Sequence, residues 1–125
     1  MSLTLRERAQ CAMIDGLMFG DWFDTRNWVD DEKDSALPKS YEIRVLEDSD
    51  ELIPMTEWRK VTPRDITKAL RYIASAGNPA NLTDDIVESC KAFLNDPDSA
   101  AASRFDSICA DAALQIITMG KVEFG

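Results

Sequence analysis

The stretch Tyr41-Glu42-Ile43-Arg44-Val45 alternates apolar and charged side chains. Because successive side chains of a strand point to opposite faces of a sheet, this alternation predicts a half-buried β-strand. Residues 47–51 form a polar turn in this interpretation, and residues 52–55 resume an extended pattern. Pro54 favours an edge position for that second strand, since proline cannot donate to a sheet ladder. The sequence therefore predicts an antiparallel hairpin.

Helical patterns surround the hairpin. Thr4 and Glu7 form a capping-box pattern that predicts the start of a first helix, and Gly20 is its expected end. Thr62 followed by Pro63 predicts the start of a second helix, because proline suits the first helical position.

Two more helices are expected in the second half of the chain. Asn81 or Thr83 caps the first of them, and the second runs from Ser99 to Met119 with Gly120 as its C-cap. Lys121 to Phe124 alternates again and predicts a short strand that joins the hairpin.

Residues 21–40 show neither period, so we expect an aromatic-anchored connection followed by a solvated loop. The predicted fold is α+β and mostly helical, with about four helices packed on a small two- or three-stranded antiparallel sheet. With 125 residues, 45% of them hydrophobic, the chain is expected to form a single compact domain over residues 1–125. The N-terminal residues lack an apolar signal segment and no run is long enough for a membrane span, so a cytoplasmic protein without membrane contact is expected.

Charge is distributed unevenly along the chain. Residues 15–57 carry thirteen acidic and four basic side chains, within a net charge of −9 for the whole chain. Aromatic residues are interleaved with these acids, and tryptophan is enriched where proteins bind one another. We therefore expect a protein-binding face formed by Asp21, Trp22, Asp24, Trp28, Asp30, Asp31 and Asp34.

Residues 58–71 carry five basic side chains and one acidic side chain, and this block supports the alternative hypothesis of nucleic-acid binding. Arg64, Lys68 and Arg71 are spaced to share one face of a helix. The complete alternative anion-binding site is Arg59, Lys60, Arg64, Lys68 and Arg71. The acidic composition counts against it, because nucleic-acid-binding domains are usually basic overall.

The chain contains no histidine, no G-x-S-x-G motif and no glycine-rich phosphate loop, so we expect no enzyme, no catalytic residues, no cofactor and no metal site. Cys11, Cys90 and Cys109 occupy apolar positions of the expected helices and are interpreted as free core thiols.

The leading hypothesis is a small acidic, non-enzymatic protein-binding module such as an inhibitor or adaptor. In its size, acidity and lack of catalytic motifs the chain resembles small accessory or phage-encoded inhibitor proteins. Its carboxylates also allow a DNA mimic, which presents negative charge in place of phosphate. A homodimer that pairs the acidic and basic blocks stays open as a further alternative.

Overall fold

A computed structural model describes residues 4–47 and 53–122. Within these residues, five helices accompany one three-stranded antiparallel sheet, so the expected α+β, mostly helical fold is confirmed. In chain order the elements are α1 (Leu5–Gly16), β1 (Phe23–Asp30), β2 (Pro38–Val45), β3 (Arg59–Val61), α2 (Pro63–Ala74), α3 (Asp84–Asn95), α4 (Ala100–Ser103) and α5 (Ser107–Met119).

Capping boxes start both α1 and α2. The Thr4 hydroxyl accepts a hydrogen bond from the Glu7 N–H at 3.1 Å, and the Glu7 carboxylate accepts one from the Thr4 N–H at 3.1 Å. Thr62 and Asp65 repeat this exchange at the start of α2. Each box satisfies backbone donors that the first helical turn leaves unpaired, which is why both starts could be predicted.

The first helix ends at Gly16, four residues before the expected Gly20. A Cβ atom at Gly16 would lie 2.6 Å from Leu114 Cδ1, so the glycine permits a close approach between α1 and α5. At Gly20 a Cβ atom would lie 2.5 Å from the Trp22 ring. Gly20 therefore belongs to the turn that returns the chain to the core.

The expected irregular connection is wrong for residues 23–30, because β1 occupies Phe23–Asp30 and pairs antiparallel with β2, whereas the expected solvated loop is found at residues 31–37. The predicted strand at residues 41–45 is confirmed and begins earlier, at Pro38. Together β1 and β2 form a hairpin that precedes the one expected from the sequence.

The second hairpin partner also differs from the expectation. Ile53 makes only an isolated bridge, Pro54 and Met55 lie outside any strand, and β3 begins at Arg59. The Thr56 N–H donates to the Val45 carbonyl at 3.1 Å, and the Thr56 hydroxyl accepts from the Val45 N–H at 2.9 Å. These two bonds hold the irregular segment against the end of β2. Residues 48–52, which include most of the expected turn, lie outside the described residues.

The expected single helix from Ser99 to Met119 is divided into α4 and α5. Asp106 separates them, because its carboxylate accepts from the N–H groups of Ile108 and Cys109 and so caps the start of α5. Gly120 is confirmed as the C-cap, with a φ of +75° that favours glycine. Lys121 and Val122 form no strand, and residues 123–125 lie outside the described residues.

The core lies where α1, α2 and α5 meet the inner face of the sheet. Tyr41, Ile43 and Val45 of β2 and Val61 of β3 are buried there. The Tyr41 hydroxyl donates to the Met13 carbonyl at 2.8 Å and thereby connects the sheet to α1. None of the helices described here has both the length and the apolar character that a membrane span requires.

A buried carboxylate connects the turn after α1 to α5. Asp111 is 2% exposed; its two oxygens accept from Trp22 Nε1–H and from Gln115 Nε2–H, each at 2.7 Å. Burial raises the pKa of Asp111, because the core disfavours the charged form, and the two hydrogen bonds oppose this increase. The native state therefore holds the Asp111 proton more tightly than the unfolded chain does.

This linkage predicts the pH dependence of Asp111→Asn. The free energy of unfolding of the variant minus that of the wild type is expected to increase as pH rises from about 4 toward the raised pKa of Asp111, and then to level off. Urea unfolding between pH ~4 and 7, followed by tryptophan fluorescence, measures this difference, with the exposed Asp98→Asn as a control. A value of this difference that becomes more negative as pH rises from about 4 to 7 would contradict the assignment.

Candidate functional site

The sheet order β1-β2-β3 leaves β1 at an edge. Strand β1 has eight residues, and no other described strand pairs with its second side. An edge strand presents unpaired N–H and C=O groups, to which another chain can add. The open side of β1 is therefore the first candidate surface.

The hydrogen-bond ladder shows which backbone groups face that open side. The Leu46 N–H donates to the Trp22 carbonyl at 2.8 Å, whereas the backbone of Val45 bonds to Thr56 on the opposite side of β2. Residues of an antiparallel pair alternate between facing the partner strand and facing away. Since Phe23 is opposite Val45, the backbone groups of Phe23 and Thr25 point to the open side.

An aspartate partly covers this edge. The Thr25 N–H donates to the Asp24 carboxylate at 3.0 Å, which leaves the Phe23 N–H and the carbonyls of Phe23 and Thr25 to face the open side. A charged side chain beside an exposed ladder is one way in which proteins limit nonspecific strand addition. The edge therefore favours a partner that can replace this local hydrogen bond.

A β-bulge interrupts β1 after Arg26. Arg26 is opposite Glu42 and Val29 is opposite Ser40, so β1 advances by three residues while β2 advances by two. Asn27 has a φ of +55°, in the left-handed region that asparagine tolerates better than most residues. The extra residue reverses the side-chain alternation at Trp28 and Val29, and a second register shift follows between Val29 and Asp30.

The reversed alternation places Trp28 on the inner side of the sheet. The rings of Trp28 and Tyr41 stack with centroids 5.8 Å apart and an angle of 18° between their planes. Trp28 nevertheless remains 46% exposed, as does the neighbouring Val29. The Trp28 Nε1–H donates to the Asp30 carboxylate at 2.8 Å. The result is a fixed aromatic ring beside the open edge.

The seven residues of the expected acidic and aromatic face occupy three different environments. Asp21, Asp24, Trp28 and Asp30 are exposed on β1 or just before it. Trp22 is only 7% exposed and bonds to Asp111, so it belongs to the core and not to the surface. The remaining two, Asp31 and Asp34, organise the loop between β1 and β2.

Asp31 is held by three donors. Its carboxylate accepts from Arg6 at 2.9 Å, from Gln10 Nε2–H at 2.7 Å and from the Lys33 N–H at 2.8 Å. The Lys33 backbone bond and the bonds from Arg6 and Gln10 lower the pKa of Asp31 to about 2. Asp34 accepts from the Ala36 N–H at 3.0 Å. Both aspartates therefore have structural partners within the loop.

The loop and the start of α1 border a cleft of about 340 Å³. Side chains of both charge signs line it, including Arg6, Lys33 and Lys39 beside Glu7 and Asp31. Arg6 and Asp31 already pair across the cleft. This balance offers no specific recognition of one charge sign.

The outer face of the sheet is covered by its own side chains. The guanidinium groups of Arg26 and Arg44 lie over the Trp58 ring at 4.1 and 4.5 Å from its centroid. Arg26 also pairs with Glu42 at 3.1 Å, and Arg44 pairs with Asp24 at 3.7 Å. Trp58 therefore stabilises the sheet face by cation–π contacts.

The five expected anion-binding residues do not all share one face, because Lys60 lies opposite Glu42 of β2 whereas the side chain of Arg59 points to the other face of β3. Each is exposed and none makes an ion pair with a described residue; they are Arg59, Lys60, Arg64, Lys68 and Arg71. Arg59 and Lys60 lie on β3 and the other three lie on α2. The acidic and basic blocks form no ion pair with each other within residues 4–47 and 53–122.

Val29, Phe23 and Thr25 belong to the open edge but were not expected from the sequence. Their signal is hidden because the bulge breaks the alternation that identifies a strand. Among the described residues, no group of three or more His, Cys, Asp or Glu side chains is arranged to hold a metal ion. Comparisons with protein-family models, curated proteins and solved structures found no match to this chain.

The bulge predicts different effects of two substitutions at Asn27. Both Asn27→Ala and Asn27→Gly lose the hydrogen bond to Glu42, but only alanine also opposes the left-handed backbone. Asn27→Gly is therefore expected to be more stable than Asn27→Ala by about 1 kcal/mol. Urea unfolding of the two variants measures this difference. Equal stability would mean that the bulge does not require a positive φ.

Proposed function

We propose that the chain is a non-enzymatic protein-binding module, such as an inhibitor or adaptor, that uses the open edge of β1. The observation that carries the proposal is an eight-residue edge strand with Trp28 and Val29 exposed beside it. An extended segment of a partner can pair with the backbone of Phe23 and Thr25, as in other cases of strand addition.

Trp28 is the proposed anchor of this interaction. Its ring is already fixed by the stack on Tyr41 and by the hydrogen bond to Asp30, so binding immobilises little additional side-chain freedom. A large, fixed aromatic group is typical of residues that dominate binding energy. Val29 extends the apolar contact beside it.

The charge of the edge favours a basic partner. Asp21, Asp24 and Asp30 are exposed, and Asp21 and Asp30 make no ion pair with a described residue. These acids, in a chain of net charge −9, attract a basic segment during association. Pairing of two β1 strands from two copies would instead bring like charges together, so this edge favours a different protein.

The same surface gives less support to a DNA mimic. Asp24 pairs with Arg44, Asp31 with Arg6 and Glu32 with Lys39, which reduces the negative charge that this side of the molecule presents. Imitation of a duplex requires closely spaced uncompensated charge. Recognition of backbone and aromatic groups therefore fits the edge better than imitation of phosphate.

Charge reversal and anchor removal test the proposal on separate kinetic steps. A partner recovered with the tagged wild-type chain from its native host is purified and its binding kinetics are measured. Asp21→Lys/Asp30→Lys is expected to lower the association rate about tenfold. Trp28→Ala is expected to weaken binding by at least about 30-fold, mainly through faster dissociation.

Two further variants complete this experiment. Asp96→Lys/Asp98→Lys changes the net charge equally at exposed positions beyond α3 and is expected to bind like the wild type. Thr25→Pro removes the Thr25 N–H, which faces the open side and is not part of the hydrogen-bond ladder with β2. The variant is therefore expected to keep the β1–β2 pairing and to block strand addition. Wild-type affinity in both Trp28→Ala and Thr25→Pro, with intact folding by circular dichroism, would refute the proposal.

A further inference from the structure

We propose that a second surface, formed by α2 and β3, binds single-stranded nucleic acid. It is separate from the open edge of β1, since β1 and β3 lie at opposite edges of the sheet. The proposal does not depend on the function assigned to β1. It rests on four cations, on one exposed aromatic ring and on the groove beside them.

Four of the five cations form a basic ridge. Arg64, Lys68 and Arg71 lie on the exposed side of α2, whose opposite side buries Ile66, Leu70 and Ile73. The three cations span eight residues of helix, a rise of roughly 10 Å, over which one strand of a duplex carries about three phosphates. Arg59 of β3 lines the same groove as Lys68 and extends the ridge, whereas Lys60 faces the other side of β3, opposite Glu42, and is not part of it.

The charges of this ridge are available to a ligand. Elsewhere in the molecule Arg6, Arg26 and Arg44 are paired with carboxylates at 2.9 to 3.7 Å. None of the four ridge cations makes such a pair with a described residue. Because a polyanion need not displace an existing ion pair here, neutralisation of phosphate releases counterions without breaking an internal contact.

A groove of about 440 Å³ lies beside the ridge, between α2 and the end of α5. Arg59 and Lys68 line the groove together with Tyr72 and Ile116. Tyr72 is 41% exposed, so its ring has a free face on which a base can stack. Stacking on an aromatic ring beside a cationic track is the usual arrangement of proteins that bind single strands.

Among the residues that the structure describes, Asp65 is the one acidic side chain that lines this groove. Its carboxylate accepts from the Thr62 N–H and from the Thr62 hydroxyl, each at 3.0 Å. It also lies in the first turn of α2, where the helix dipole favours negative charge. The capping role of Asp65 therefore accounts for an acid at a site that otherwise attracts phosphate.

The sheet separates the two charged surfaces. Two strand spacings, roughly 10 Å, lie between β1 and β3, which is similar to the Debye length at physiological salt. Charges at the acidic edge are thus partly screened from a ligand at the basic ridge. Single strands are favoured over duplexes because their unpaired bases can reach Tyr72.

Fluorescence anisotropy with labelled 20-nucleotide single strands and matching duplexes tests the proposal across a salt series from about 50 to 200 mM. The wild type is expected to bind single strands more tightly, with affinity that falls steeply with salt. Arg64→Ala/Lys68→Ala is expected to reduce the slope of log K against log salt concentration by about 1.4 in magnitude, because each phosphate contact on a single strand contributes about 0.7. Tyr72→Ala is expected to weaken binding about tenfold without changing the slope.

Matched controls separate this site from the edge of β1. Lys33→Ala/Arg104→Ala removes two exposed cations elsewhere and is expected to leave binding unchanged, as is Trp28→Ala. Absence of binding at the lowest salt would overturn the proposal. Equal affinity for single strands, duplexes and heparin, with no effect of Tyr72→Ala, would also overturn it, because it would show a charge contact without a site for bases.

Discussion

The pairing of β1 with β2 across an extra residue determines how this molecule presents its surface. Without the bulge, Trp28 would follow Asp24 and Arg26 onto the outer face of the sheet. With it, Trp28 stacks on Tyr41, whose hydroxyl bonds to the Met13 carbonyl of α1. One left-handed residue, Asn27, thus connects the exposed tryptophan to the buried core.

Local signals were sufficient for the elements whose structure depends on near neighbours. The capping boxes predicted the starts of α1 and α2, and alternation predicted the strand at residues 41–45. Local signals failed for the elements whose structure depends on contacts between residues that are distant in the sequence. The bulge concealed β1, three residues were too few to identify β3, and an N-cap aspartate within an apolar pattern concealed the division between α4 and α5.

The candidate surfaces also contain residues that the sequence predicted correctly and residues whose position depends on distant contacts. The five basic residues are exposed, as the sequence predicted. For the three on α2, this exposure follows from their helical spacing. Trp22 was expected on the surface, but its partner Asp111 lies 89 positions further along the chain. Val29 and the backbone of Phe23 became visible only once the strand register was known. The exposed acids of β1 and the cations of α2 form no ion pair with each other among the described residues, although Lys60 of β3 lies opposite Glu42 of β2. This arrangement supports two binding surfaces.

The claim that one side of β1 is open is central to this account. Amide hydrogen exchange measured by NMR in native buffer tests it residue by residue. We expect slow exchange at Asp24 and Arg26, whose N–H groups face β2, and much faster exchange at Phe23, whose N–H faces the open side. If Phe23 exchanged as slowly as Asp24, another segment would already occupy the edge, and the proposed binding surface would not be available.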